Sequence, residues 1–202
     1  MRADAIVFGI AGSLFGLIIG WVLGTQNAAG TARLAAPVAQ AAPATAAAAP
    51  AAAQPVPLDP ARVQALQASA EKDPKDVQSR VQLGNLFFDA EQYPQSIAWY
   101  EQAIALNPAD TNVSTDLGVA YYYTNQADRA LKQFEQSLAS DPKHIKTLLN
   151  VGIVRAFGKN DLAGAAKAWE EVVAISPDSP EGQAAKKGLE GVKNAGAGTA
   201  GK

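Results

Sequence analysis

"LGNLFFDAEQYPQSIAWYEQAIALNP", residues 83–108, and "LGVAYYYTNQADRALKQFEQSLASDP", residues 117–142, are two copies of one pattern. One constant offset relates them throughout: Leu83 to Leu117, Gly84 to Gly118, Pro108 to Pro142. A third copy, "VGIVRAFGKNDLAGAAKAWEEVVAISP", residues 151–177, keeps Val151 and Gly152 in register and reaches its proline, Pro177, one residue late. Pro74 precedes Pro108 by the same offset, so "ARVQALQASAEKDP", residues 61–74, is the second half of an earlier, incomplete copy. Each copy carries two helical apolar faces separated by a turn containing Gly, Asn or Pro. The glycine permits close approach of the paired helix, and the proline ends the second helix and starts the next unit. No unit of this size buries its apolar face alone, so the copies must stack.

Period and positions resemble the tetratricopeptide repeat (TPR), whose pattern is Trp-x2-Leu-Gly-x2-Tyr, then Ala-x3-Phe, then Pro. The first copy supplies Leu83, Gly84, Phe87, Tyr100, Ala103 and Pro108, and the second Leu117, Gly118, Tyr121, Ala130, Phe134 and Pro142. The third supplies Val151, Gly152, Ala165, Trp169 and Pro177. Arg80, Ser114 and Leu148 stand where the pattern has tryptophan, and Arg155 replaces the first-helix aromatic of the last copy. The resemblance implies an all-α TPR helical-hairpin solenoid over residues 59–193. It has three repeats (about 77–110, 111–144 and 145–179), a partial N-terminal repeat and a C-terminal capping helix, 180–193. In that cap Ala184, Ala185, Leu189 and Val192 share one face, and residues 194–202 form a flexible Gly/Ala-rich tail.

Three consecutive tyrosines, Tyr121, Tyr122 and Tyr123, cannot all face one core. In the repeat's register Tyr121 packs inside its own unit, while Tyr122 and Tyr123 point into the concave groove that the resemblance implies. Equivalent positions carry Phe88 and Phe157, which gives an aromatic patch edged by amides. The expected peptide-binding groove comprises Asn85, Phe88, Asn112, Thr115, Val119, Tyr122, Tyr123, Lys146, Leu149, Asn150, Ile153 and Phe157. Aromatic side chains exposed in a concavity favour binding, because tyrosine offers large area with few rotamers to freeze; packing between adjacent repeats is the competing use. Some TPR domains clamp a partner's C-terminal carboxylate with Lys and Asn. Asn85 and Lys146 match two of those positions, whereas Val81, Asp116 and Asn150 do not match the others.

Ahead of the repeats, "AIVFGIAGSLFGLIIGWVLG", residues 5–24, carries no charge from end to end and is long enough as a helix to span roughly 30 Å of hydrocarbon. Residues 1–24 are therefore expected to form an N-terminal transmembrane helix that anchors the chain, in preference to a cleaved signal peptide. Gly12, Gly16, Gly20 and Gly24 recur at every fourth position, a small-residue stripe suited to transmembrane association. Arg2 on the short flank orients the chain with its N-terminus in the cytoplasm. The expectation is a single-pass protein of a bacterial inner membrane with a periplasmic soluble domain. Residues 25–58 are an Ala/Pro-rich linker, broken by Pro37, Pro43, Pro50, Pro55 and Pro57 and expected to be a disordered tether.

Composition narrows the function. A net charge of −2 gives no reason to expect nucleic acid, and the absence of cysteine removes disulfides, thiolate metal sites and thiol nucleophiles. His144 is a lone histidine in the turn before the third repeat, read as a surface residue without companions for a metal. No nucleophile–base constellation or phosphate loop is present, so no enzyme activity, cofactor or metal is expected. The expected function is a non-catalytic, membrane-tethered protein–protein interaction scaffold that binds a partner segment in the groove. Two alternatives share the architecture: an assembly factor in c-type cytochrome maturation, and a self-assembling structural envelope protein that forms a homo-oligomer.

Overall fold

A computed structural model describes residues 56–199, and these are helical with no strand. In order the described helices are α1 (Pro60–Lys72), α2 (Val77–Asp89), α3 (Tyr93–Leu106), α4 (Thr111–Tyr123), α5 (Ala127–Ser140), α6 (Ile145–Ile153), α7 (Leu162–Ile175) and α8 (Pro180–Thr199). A π-helical turn, Val154–Gly158, closes α6. Helices pair as α2–α3, α4–α5 and α6–α7, α1 packs on α2, and α8 packs on both α7 and α6. Among the described residues no helix is long and apolar enough to cross a membrane. The predicted anchor with Gly12, Gly16, Gly20 and Gly24, and the predicted linker up to Pro55, lie outside the described residues.

The recurring glycine has a single physical cause. A Cβ at Gly84 would fall within the ring of Tyr100, one at Gly118 within Phe134, and one at Gly152 within Trp169. The three rings belong to the second helix of each pair and are 2%, 0% and 2% exposed. Each first helix thus accepts an aromatic ring directly on its backbone, and this contact sets how closely a pair packs. Tyr100 follows Gly84 by the same interval as Phe134 follows Gly118, but Trp169 stands one position further along from Gly152. The extra residue is absorbed in the π-helical turn, the usual helical answer to a one-residue insertion.

Caps and turns repeat with the same period. Asp76 Oδ1 accepts from Ser79 N at 2.9 Å and Asp110 Oδ1 from Val113 N at 3.0 Å, each satisfying an orphan donor in the first turn. The next position in that series is His144, whose side chain makes no cap bond to the backbone of α6. Glu91, Asn125 and Asn160 occupy the left-handed region, with φ of 57°, 60° and 54°, at matching places between the helices of each pair. Asparagine tolerates that conformation better than glutamate does.

Positions that depart from the repeat pattern are used locally. Arg80 reaches back to the end of α1, donating to Ala70 O at 3.2 Å and to Asp76 O at 2.6 Å. Ser114 accepts from Gln133 Nε2 at 2.8 Å, joining α4 to α5, and Leu148 is buried. Helix α8 runs to Thr199, past the Asn194 boundary expected from sequence. No proline interrupts it after Pro180, and alanine is a strong helix former.

Candidate protein-binding face

The tyrosine run divides as the helix dictates. Tyr121 is 5% exposed. Its hydroxyl donates to Glu101 Oε1 at 2.6 Å on α3 and accepts from Arg129 at 2.9 Å on α5, whose guanidinium lies 4.0 Å above the ring centroid. Burial, followed by the Glu101 carboxylate, pushes this phenol up to about 12. Tyr121 therefore locks one second helix to the next and is not available to a ligand.

Tyr123 turns toward α2 and α3. Its ring stacks on Tyr93 with centroids 4.5 Å apart and planes inclined by 6°, and it meets the edge of Phe88 at 5.7 Å and 74°. Phe88 and Tyr93 complete the triangle at 5.3 Å and 70°. Tyr122 lies 6.3 Å from Tyr123 at a tilt. A Cβ on Gly158 would meet the Tyr122 ring, so Tyr122 sits against the π-helical turn that carries Phe157. All four rings of the cluster are half-buried, and Phe157 is 39% exposed. Burial raises the Tyr93, Tyr122 and Tyr123 phenols above their usual value, with Glu91 adding to the first and last. They remain neutral donors at any physiological pH.

Polar groups border this cluster. Tyr100 donates to Asn85 Oδ1 at 2.6 Å, and Asn150 Nδ2 donates to Lys146 O at 2.8 Å; Asn112 is exposed. Lys146 Nζ is held 2.8 Å from Asp116 Oδ1, bridging α6 to α4. Asp89, at the end of α2, has its carboxyl raised, first by burial and then by Asp116.

Four of the expected groove residues are placed elsewhere. Thr115 is 0% exposed and bonded to Thr111 O at 2.7 Å, Ser137 Oγ at 3.0 Å and Thr147 Oγ1 at 2.6 Å. Val119, at 9%, belongs to the core. Leu149 and Ile153 are each 2% exposed. The reason is stacking: α6 covers the Thr115 side of α4, and α8 packs on α6 as the first helix of a further repeat would. His144 is corrected too. It is half-buried, and its Nδ1 lies 2.7 Å from Thr147 Oγ1, extending the hydroxyl chain that begins at Thr115.

Two family models match the chain, one described as TPR repeat over residues 84–125 and one as tetratricopeptide repeat over residues 115–180. The chain is a tetratricopeptide-repeat protein. Solved structures agree in fold. The Sgt2 TPR domain from Aspergillus fumigatus is 26% identical with a TM-score of 0.57, covering 63% of this chain and 83% of that one. MamA, at 16% identity and a TM-score of 0.55, covers 69% of this chain and 90% of that one. The first TPR of Spaghetti (RPAP3), bound to HSP90 peptide SRMEEVD, is 22% identical with a TM-score of 0.56, covering 62% and 96%. A search of curated proteins gave no match.

Within the tetratricopeptide framework, Phe88, Tyr122 and Tyr123 come together as their register predicts, with Asn85, Asn112, Asn150 and Lys146 on the same set of first helices. Sequence reasoning missed Tyr93, which begins α3 and supplies the parallel stack. Its signal was available, since Ala127 and Leu162 occupy the same place in the other repeats. It also missed that Asp116 neutralises Lys146. A lysine paired at 2.8 Å is a poor carboxylate clamp, because a ligand would have to displace an existing ion pair.

Proposed function

We propose that this chain is a non-catalytic scaffold, tethered to a bacterial inner membrane by residues 1–24, that presents its repeats in the periplasm and binds an extended segment of a partner protein along the first-helix groove. The observation that carries the reading is the aromatic cluster of Phe88, Tyr93, Tyr122 and Tyr123, half-buried and bordered by Asn85, Asn112 and Asn150. Such a surface supplies apolar area with few rotamers to freeze, and amides for main-chain hydrogen bonds. A peptide held by a solved TPR neighbour supports groove binding as a mode of recognition. That neighbour's peptide is acidic, however, and here the Lys146–Asp116 pair leaves little to attract a terminal carboxylate. Recognition then rests on the aromatic cluster and amides.

The test compares the full chain, solubilised in mild detergent, with a Tyr122→Ala, Phe157→Ala variant in a pull-down from envelope extract read by mass spectrometry. Tyr123 is left intact because it is packed on two neighbours. A protein retained by the unmutated chain and lost by an equally helical variant supports the groove. Identical retention by both would refute it.

A further inference from the structure

The second-helix face carries a feature that groove binding does not use. A cavity of about 280 Å³ opens between α5, α6 and α7, lined by Leu138, Leu148, Val151 and Ala168, with Arg155, Lys167 and Glu171 supplying its charged groups. Its origin is legible by comparing repeats. One repeat earlier the equivalent place is filled by Tyr121, held between α3 and α5 with Arg129 over its ring and Glu101 on its hydroxyl. At the matching position of the third repeat, Tyr121 is replaced by Arg155. Arg129 is replaced by Gly164, counting the extra residue of the π-helical turn. Both the ring and the cation that covered it are therefore gone. Arg155 does not refill the space, because its guanidinium turns to Asp161 Oδ2 at 2.7 Å.

We propose that this cavity is a docking site for a tyrosine side chain of a partner protein, on a face separate from the groove. The walls have the apolar character that accepts a ring, as the same walls do around Tyr121 in the filled version. The Arg155 guanidinium is positioned to meet the ring's π face, the role Arg129 plays at 4.0 Å from Tyr121. Glu171 offers a carboxylate for the phenol proton, as Glu101 does. A leucine side chain would satisfy the walls but neither of these groups, so the site discriminates for a phenol. This inference stands independently of the groove reading, since no residue is shared.

The experiment titrates the full chain, 15N-labelled and held in mild detergent, with the tripeptide Gly-Tyr-Gly and, separately, Gly-Leu-Gly. The expected result is saturable shifts of the Val151, Gly164 and Ala168 amides with Gly-Tyr-Gly at a Kd of about 1–10 mM, as suits one ring in a small site. Gly-Leu-Gly should bind at least severalfold more weakly. Arg155→Tyr, which rebuilds the filled repeat, should abolish the shifts and raise Tm. The proposal fails if Gly-Tyr-Gly gives no saturable shift at these amides, or if Gly-Leu-Gly matches it. It also fails if a folded Arg155→Tyr chain responds as the parent does, or if that substitution unfolds the protein, since the space would then not admit a tyrosine ring.

Discussion

Removing Tyr123 separates packing from recognition within the aromatic cluster. The ring makes a parallel stack with Tyr93 at 4.5 Å and an edge contact with Phe88 at 5.7 Å. Each such pair contributes about 0.5–1.5 kcal/mol beyond simple burial. Tyr123→Leu keeps much of the apolar area and forfeits both ring pairs, so the expected loss is about 1–3 kcal/mol. Tyr123→Ala adds the lost burial of a half-buried side chain, about another 1 kcal/mol. With a urea m-value of roughly 1–3 kcal/mol/M, the leucine variant's midpoint should fall by about 1 M. The decisive quantity is the double-mutant cycle with Tyr93→Leu, in which a coupling of about 1 kcal/mol is expected from the stack. The assay is urea denaturation followed by circular dichroism at constant m. Coupling below about 0.3 kcal/mol, the level at which independent sites add, would show that the stack contributes no stability. Tyr123 would then belong with Tyr122 as a binding residue and not as its support.

Two further outcomes follow from the same coordinates. Gly118→Ala should lower stability by about 1–2 kcal/mol, because an overpacking cost of about 1–3 kcal/mol against the fully buried Phe134 outweighs the roughly 1 kcal/mol gained in helix propensity. Trimming that ring in a Phe134→Leu background should shrink or reverse the effect of Gly118→Ala, and urea midpoints of the four chains would reveal it. His144 should make stability depend on pH. Burial, assisted by Lys146 and opposed by Asp141, holds its pKa below 6.5 in the folded chain, so the unfolded chain binds the proton more readily. Stability is then fully present above pH 6.5, falls as pH drops through that value, and levels off below the folded pKa. Midpoints measured from about pH 8 to about pH 5 should show this step in the parent and lose it in His144→Asn; a step of equal size in both would assign it to other groups.

What could be read from sequence was whatever repeats. The constant spacing of Leu83 and Leu117 with their glycines is the spacing at which α2, α4 and α6 begin, at Val77, Thr111 and Ile145. It survives in sequence because one ring must sit on one bare backbone position in every pair. Residues whose role depends on the neighbouring repeat were harder. Thr115 looks like a groove residue from its own helix, yet Thr147 from the next repeat lies 2.6 Å away and closes a buried hydroxyl chain. No pattern within one repeat announces that contact. Leu149 and Ile153 were misjudged for a related reason, since their exposure depends on whether a helix follows α7, and α8 is that helix. Conversely, the most informative sites are those where the period breaks. His144 stands where Asp76 and Asp110 cap their helices, and Arg155 stands where Phe87 and Tyr121 fill the space between helices. At each break the regular repeat states what physical role has been vacated, so the cap lost at His144 becomes a titrating contact and the ring lost at Arg155 becomes a cavity. In a chain built from stacked copies, departures from the period therefore locate function more sharply than the period itself, which is occupied with holding the stack together.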